Sequence, residues 1–173
     1  MRSRKLINAL WRMSIVLLIL YILFGHKYKV IYNIGDSMHP TYYDREWIIT
    51  EKIHNPTKDW IPKRYDIVIV WDTQERLTKR VIGLAGDEIE IKYGKIFLNG
   101  KELKDPYGNG DIIHYVEDEE TRSKKPKKEW LFFNTNSHAE KIPEGHIWVI
   151  GDNREISWYG LIPIKHIKSL VVF

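Results

Sequence analysis

The chain has 173 residues, 43% of them hydrophobic, enough for one domain of ordinary size plus an appendage and too apolar for wholesale disorder. Its formal charge of +4 is local: Arg2, Arg4, Lys5 and Arg12 precede any acid, and the rest of the chain is balanced, which disfavours a basic protein that coats nucleic acid. There is no cysteine, which excludes disulfides, thiolate metal sites and a cysteine nucleophile.

Met13 to Phe24 reads MSIVLLILYILF, with Ser14 its only polar residue. As a helix this run covers about 18 Å, short of the roughly 30 Å of a bilayer core. Leu6 to Trp11 supplies the missing length, with Arg12 near enough to the end to snorkel toward headgroups. Basic residues precede the span, and His26, Lys27 and Lys29 follow it. The positive-inside rule places the N-terminus in the cytoplasm and the remaining chain outside. A cleaved secretory signal shares the basic start and apolar core, but Gly25-His26-Lys27 offers no A-x-A-like site. A buried core helix would need a partner that the later sequence does not provide. The expectation is an uncleaved single-pass anchor over residues 1–26.

Beyond Gly25, short strand-like runs dominate, separated by turn formers. They are Tyr28–Ile34, Trp47–Ile53, Asp66–Trp71, Lys79–Leu84, Glu88–Lys92, Lys95–Leu98, His146–Ile150 and Ile167–Phe173. DIVIVW at Asp66–Trp71 is nearly all apolar and suits a buried strand. EIEIK at Glu88–Lys92 alternates strictly and predicts one wet face. Tyr93-Gly94 and Asn99-Gly100 are hairpin-turn signals on either side of KIFL. The fold class is mainly β, an antiparallel sandwich or barrel. Between Lys101 and Lys141 the composition shifts: Gly108 and Gly110 break the pattern, and an acidic block at Glu117–Glu120 precedes a basic one at Arg122–Lys128. This reads as a solvated insertion, or as a flap that touches substrate.

Three clusters carry candidate chemistry: Ile34–Thr41 (IGDSMHPT), Thr78–Asp87 (TKRVIGLAGD) and Gly151–Ser157 (GDNREIS). Ser37 follows a strand in a turn where Gly35 permits unusual backbone angles. Such a turn presents a hydroxyl and neighbouring N–H groups to a carbonyl; it also describes an ordinary turn serine. A serine needs a base, and neither later cluster holds a histidine. Lys79 lies in an apolar stretch, where burial lowers a lysine pKa and leaves a competent neutral base. The same pattern admits Lys79 and Arg80 as solvent-facing strand residues. Asp36, His39 and Asp152 show no metal-ligand spacing.

Together these clusters resemble the type I signal peptidases, membrane-bound Ser/Lys proteases that remove signal peptides. The family's G-D-S-M-x-P-T stands at Gly35–Thr41, its strand G-D-I-V-V at Tyr65–Ile69, and its K-R-V-I-G-L-P-G-D at Lys79–Asp87 with Ala85 for Pro. Its G-x-x-x-x-N-G stands at Gly94–Gly100, and its final box at Pro143–Ser157. One element departs. The family commonly continues with Asp-Ser-Arg after the last serine, whereas here Trp158-Tyr159-Gly160 follows Ser157 at once.

The resemblance implies an antiparallel β-sheet or barrel-like catalytic core over 27–100 and 142–173, with a small inserted cap or flap over 101–141. It implies Ser37 as nucleophile, Lys79 as neutral base and Ser157 as the serine that orients the lysine. The oxyanion hole would use the Ser37 N–H at a turn where Gly35 lacks the side-chain donor some members carry. Arg80 and Asp152 would form a supporting ion pair, and Met38 would line the substrate cleft. Implied partners are preproteins with small residues before the cut and the lipid bilayer, without nucleic acid, metal or cofactor; the implied location is the plasma membrane, catalytic domain outside. Trp47, Trp60 and Trp71 read either as bilayer-facing or as core. A specialised Ser/Lys peptidase for a conjugation or phage assembly protein, and a degenerate module that binds without cutting, remain alternatives.

Overall fold

The computed structural model describes residues 2–54, 56, 60–71, 76–112, 114–115, 132–133 and 139–172. Helix α1 spans Arg2–Phe24. Its stretch Arg4–Ile22 is long and apolar enough to cross a membrane, and none of it is buried. The helix therefore does not serve as a core helix of the β domain.

Among the described residues thirteen strands follow. They are β1 (Tyr28–Tyr32), β2 (Trp47–Lys52), β3 (Ile67–Trp71), β4 (Arg76–Gly83), β5 (Glu88–Lys92), β6 (Lys95–Leu98), β7 (Lys101–Glu102), β8 (His114–Tyr115), β9 (Phe132–Phe133), β10 (Glu140–Lys141), β11 (His146–Ile150), β12 (Tyr159–Pro163) and β13 (Ile167–Val171). A seven-stranded sheet runs β1-β2-β13-β3-β4-β11-β12, and a four-stranded sheet runs β10-β5-β6-β7. Strands β8 and β9 pair separately. Every pairing between these strands is antiparallel. The fold is mainly antiparallel β behind one N-terminal apolar helix.

The strands form where sequence periodicity favours them. In β3 four consecutive residues are buried, as an apolar run in a doubly covered strand requires. In β5 burial alternates, which leaves one face wet. Tyr93-Gly94 and Asn99-Gly100 all have positive φ, the backbone of two-residue type I′ turns whose twist matches the flanking strands. Two clusters cover the large sheet on its two faces. Val68, Val70, Val81, Ile147, Val149 and Ile167 pack on one side. Ile82, Trp148 and Ile150 meet Ile89, Ile91 and Ile96 of the small sheet on the other.

The structure departs from the sequence reading in a few places. Strand β12 is absent from the runs read in the sequence, and its YGLIP run contains Gly160 and Pro163. It lies at the edge of the large sheet, where a proline costs no ladder hydrogen bond. Strands β5 and β6 form a sheet of their own with β7 and β10, at the two ends of the 101–141 segment. Residues 113, 116–131 and 134–138 of that segment, with its acidic and basic blocks, lie outside the described residues. Trp47 and Trp71 are exposed, whereas Trp60 packs against the core.

Candidate active site

The Ser37 turn leaves the end of β1. Gly35 has φ +84°, and a Cβ there would meet nothing within 4 Å. Backbone conformation, not crowding, is what calls for glycine. The turn is pinned from within: the Gly35 N–H donates to Asp44 Oδ1 at 2.7 Å, and Asn33 Nδ2 donates to the Tyr43 carbonyl at 2.9 Å and the Gly35 carbonyl at 3.3 Å. The Gly35 N–H is thereby committed to Asp44. Ser37 is half-buried. Met38 is wholly buried, with no exposed surface of its own.

Lys79 lies on β4, a central strand. Register sets it opposite Val68 on β3, and Arg80 stands between Ile67 on β3 and Ile150 on β11. Both are buried, at 3% and 4% exposure, so the solvent-facing alternative does not hold. Burial pushes the Lys79 amine down from its ordinary 10.5 to about 8, partly opposed by the Asp152 carboxylate. A neutral amine is favoured because desolvation penalises the ammonium.

The loop after β11 brings the other groups in. Lys79 Nζ donates to Ser157 Oγ at 3.0 Å. The same oxygen accepts the Gly151 N–H at 2.7 Å and donates to the Trp158 carbonyl at 2.8 Å. The Asn153 N–H donates to the Ser37 carbonyl at 3.0 Å. A Cβ on Gly151 would lie 2.1 Å from the Ser37 carbonyl oxygen and 2.5 Å from Ser157 Oγ. Ser37 and Ser157 thus converge on one glycine.

Beside this cluster is a buried ion pair. Arg80 Nε meets Asp152 Oδ1 at 2.7 Å and Arg80 Nη2 meets Oδ2 at 2.6 Å, a bidentate pairing. Thr41 Oγ1 donates to Asp152 Oδ2 at 2.5 Å and accepts from Arg80 Nη2 at 3.3 Å. Thr41 therefore ties the Ser37 turn to the β11 loop. Thr41 and Gly151 both stood in the quoted motifs, but only the fold shows what they touch. A second ion pair, Arg154–Asp105, had no sequence signal beyond the Arg in the final motif.

The arrangement is a β-sheet framework that holds a buried lysine of lowered pKa against the Ser157 hydroxyl. The chain belongs to the signal peptidase family: the model described as signal peptidase, peptidase S26, matches residues 6–172. A signal peptidase IB from Staphylococcus aureus (strain Mu50 / ATCC 700699) is 32% identical over 99% of this chain and 90% of its own length. A signal peptidase I from Bacillus amyloliquefaciens is 32% identical over 71% of this chain, and the match spans 60% of that relative's length. A solved structure of a signal peptidase I from Enterococcus faecalis V583 is 24% identical, with a TM-score of 0.44, covering 66% of this chain and 98% of that one. Membership identifies the chain as a type I signal peptidase relative and a serine-type peptidase.

Proposed function

We propose that this protein is a membrane-anchored endopeptidase that removes signal peptides from exported preproteins, with Ser37 as nucleophile and Lys79 as general base. The observation that carries the reading is the buried Lys79 amine, held by Ser157 where the Ser37 turn and the β11 loop meet. A neutral amine has two N–H donors and one lone pair. With an N–H given to Ser157 Oγ, the lone pair stays available to the Ser37 proton.

Lys79 takes that proton as Ser37 Oγ attacks the scissile carbonyl. The Ser37 N–H receives the developing oxyanion. Gly35 offers no side-chain donor and its N–H is held by Asp44, so another donor or a water completes the hole. Lys79 then protonates the leaving amine, and water releases the acyl group with Lys79 again as base. No metal or cofactor enters these steps. The substrate docks as an extended strand, with small side chains before the cut.

Helix α1 anchors the domain in the plasma membrane, its basic N-terminus cytoplasmic and the β domain outside. Exposed Trp47 and Trp71 suit a headgroup layer, and the buried side of Trp60 withdraws it from that role.

Cleavage of a model preprotein in detergent, wild type beside Ser37→Ala and Lys79→Ala, tests the reading. A cut after a small residue, lost in both variants without additivity, is expected. No cut by wild type under conditions where a known signal peptidase works would sink it and favour a module that binds without cutting.

A further inference from the structure

Downstream of Ser157 the chain carries no charged residue before Lys165, so any ionic brace on the serine must come from elsewhere. It comes from residues 105–110, a strap that crosses the β11 loop. The Asn109 N–H donates to the Asp152 carbonyl at 2.8 Å, and the Arg154 N–H donates to the Asn109 carbonyl at 2.9 Å. The Arg154 guanidinium, 4% exposed, pairs with the Asp105 carboxylate and donates to the Gly151 carbonyl at 2.8 Å. Only glycine lets the strap lie this close: a Cβ on Gly108 would come within 2.6 Å of Arg154 Nε. At the same strap, the Tyr107 ring lies 3.8 Å from Arg80 Cζ. The strap therefore grips the loop beside both ion pairs.

We infer that the Asp105–Gly110 strap is a positioning device for the Ser37/Lys79 site, acting from Asp105 through Arg154 and Gly151 to Ser157. The inference rests on the peptidase reading above and deepens it. Gly151 is held at its carbonyl by Arg154 and offers its N–H to Ser157 Oγ. Ser157 Oγ has one proton and two lone pairs, and its three bonds use all of them. One of these three holds depends on Gly151 staying where it is. If Gly151 shifts, the oxygen that holds Lys79 shifts with it, water reaches the amine, and the lone pair loses its line to Ser37. A misplacement of about 1 Å costs on the order of a hundredfold in rate.

The test is Asp105→Asn in the full chain, followed by two readouts. One is the pH profile of preprotein cleavage with kcat and KM separated. The other is the titration of Lys79, followed by pH-dependent amine labelling and mass spectrometry without substrate. The expected result is a fall in kcat of about tenfold or more with KM within about twofold. The Lys79 midpoint should also move up by about half a pH unit or more. A Lys79 midpoint unchanged in the folded variant overturns the inference, because a merely structural strap would lower stability without moving that midpoint. Should Asp105→Asn not fold, Gly108→Ala replaces it, since its methyl would press on Arg154 Nε, the guanidinium that holds Gly151, while leaving the Asp105 and Asp152 charges in place. An upward shift of the same sign is expected there too, and no shift overturns the inference. The two readings separate cleanly. A wild type that does not cut, with a Lys79 midpoint that still moves in Asp105→Asn, sinks the peptidase reading and keeps the strap as the holder of Lys79. A wild type that cuts, with a midpoint that stays, sinks the strap alone.

Discussion

Lys79 and Ser157 are 78 residues apart in sequence, yet Lys79 Nζ lies 3.0 Å from Ser157 Oγ. The contact joins the central strand β4 to the loop after β11, and it does so with both residues buried. A lysine in that position is held by a hydroxyl and not by a carboxylate. Its charge is therefore poorly compensated, and the neutral amine becomes accessible near physiological pH.

The first consequence concerns pH and rate. On the proposed mechanism Lys79 acts as its free amine, which accumulates as pH rises through about 8. Below that value kcat/KM should fall about tenfold per pH unit. Initial rates on a preprotein peptide from about pH 6 to about pH 10 check this. A profile flat across about pH 8 would show that another group is the base.

Stability should carry a mark of the same burial, in the same direction with pH. Below pH 8 Lys79 is protonated both folded and unfolded, and the folded state bears the full desolvation cost. Between 8 and the ordinary 10.5 the folded protein loses its proton first, so stability rises with pH across that window. Lys79→Met removes the cost. It should stabilise the protein by at most about 3 kcal/mol below pH 8, with the gain vanishing toward pH 10.5. Urea unfolding at an acidic and an alkaline pH reads the difference.

Gly151→Ala should disable the site by geometry alone. The new methyl would lie 2.1 Å from the Ser37 carbonyl oxygen, a backbone atom that cannot swing aside, and 2.5 Å from Ser157 Oγ. The two serines must separate. Activity is expected to drop by about a hundredfold or more, while far-ultraviolet circular dichroism stays that of a β protein. Near-wild-type activity would mean that the loop and the Ser37 turn need not touch.

Asp152→Asn addresses the buried pair. Arg80 would keep its charge at 4% exposure and lose its bidentate partner. Breaking such a pair costs about 3–5 kcal/mol, whereas replacing both partners by apolar residues costs much less. Denaturant titration should rank Asp152→Asn below the double variant Arg80→Met/Asp152→Leu. Thr41→Val, which removes one hydroxyl between them, should cost only about 1–2 kcal/mol.

Much of the β framework is legible in the residues themselves. Alternation in β5, the apolar run of β3 and the two turns with positive φ follow from residues close in sequence, because strand pleat and turn backbone are local properties. Strand β12 is not legible in this way. Gly160 and Pro163 argue against a strand unless the strand is known to lie at an edge. The tryptophans show the same limit. Trp47, Trp60 and Trp71 look alike in sequence, and only packing separates the two exposed rings from the one on the core. Met38 belongs to a recognisable motif, yet its full burial cannot be read from that motif.

For the site, sequence by itself determined the residue types: a serine in a glycine turn, a lysine in an apolar stretch, and a serine closing a GDNR loop, in a family-like order. It also determined the apolar N-terminal helix, since length and hydropathy suffice for that. Tertiary structure decided the electrostatics. Whether Lys79 faced water or core depended on β3 and β11 flanking β4, and thus on residues far along the chain. The same long-range closure brought Ser157 to the amine, Gly151 against Ser37, and the strap onto Arg154. A charge's environment is set by what folds around it, and neighbours in sequence say little about that.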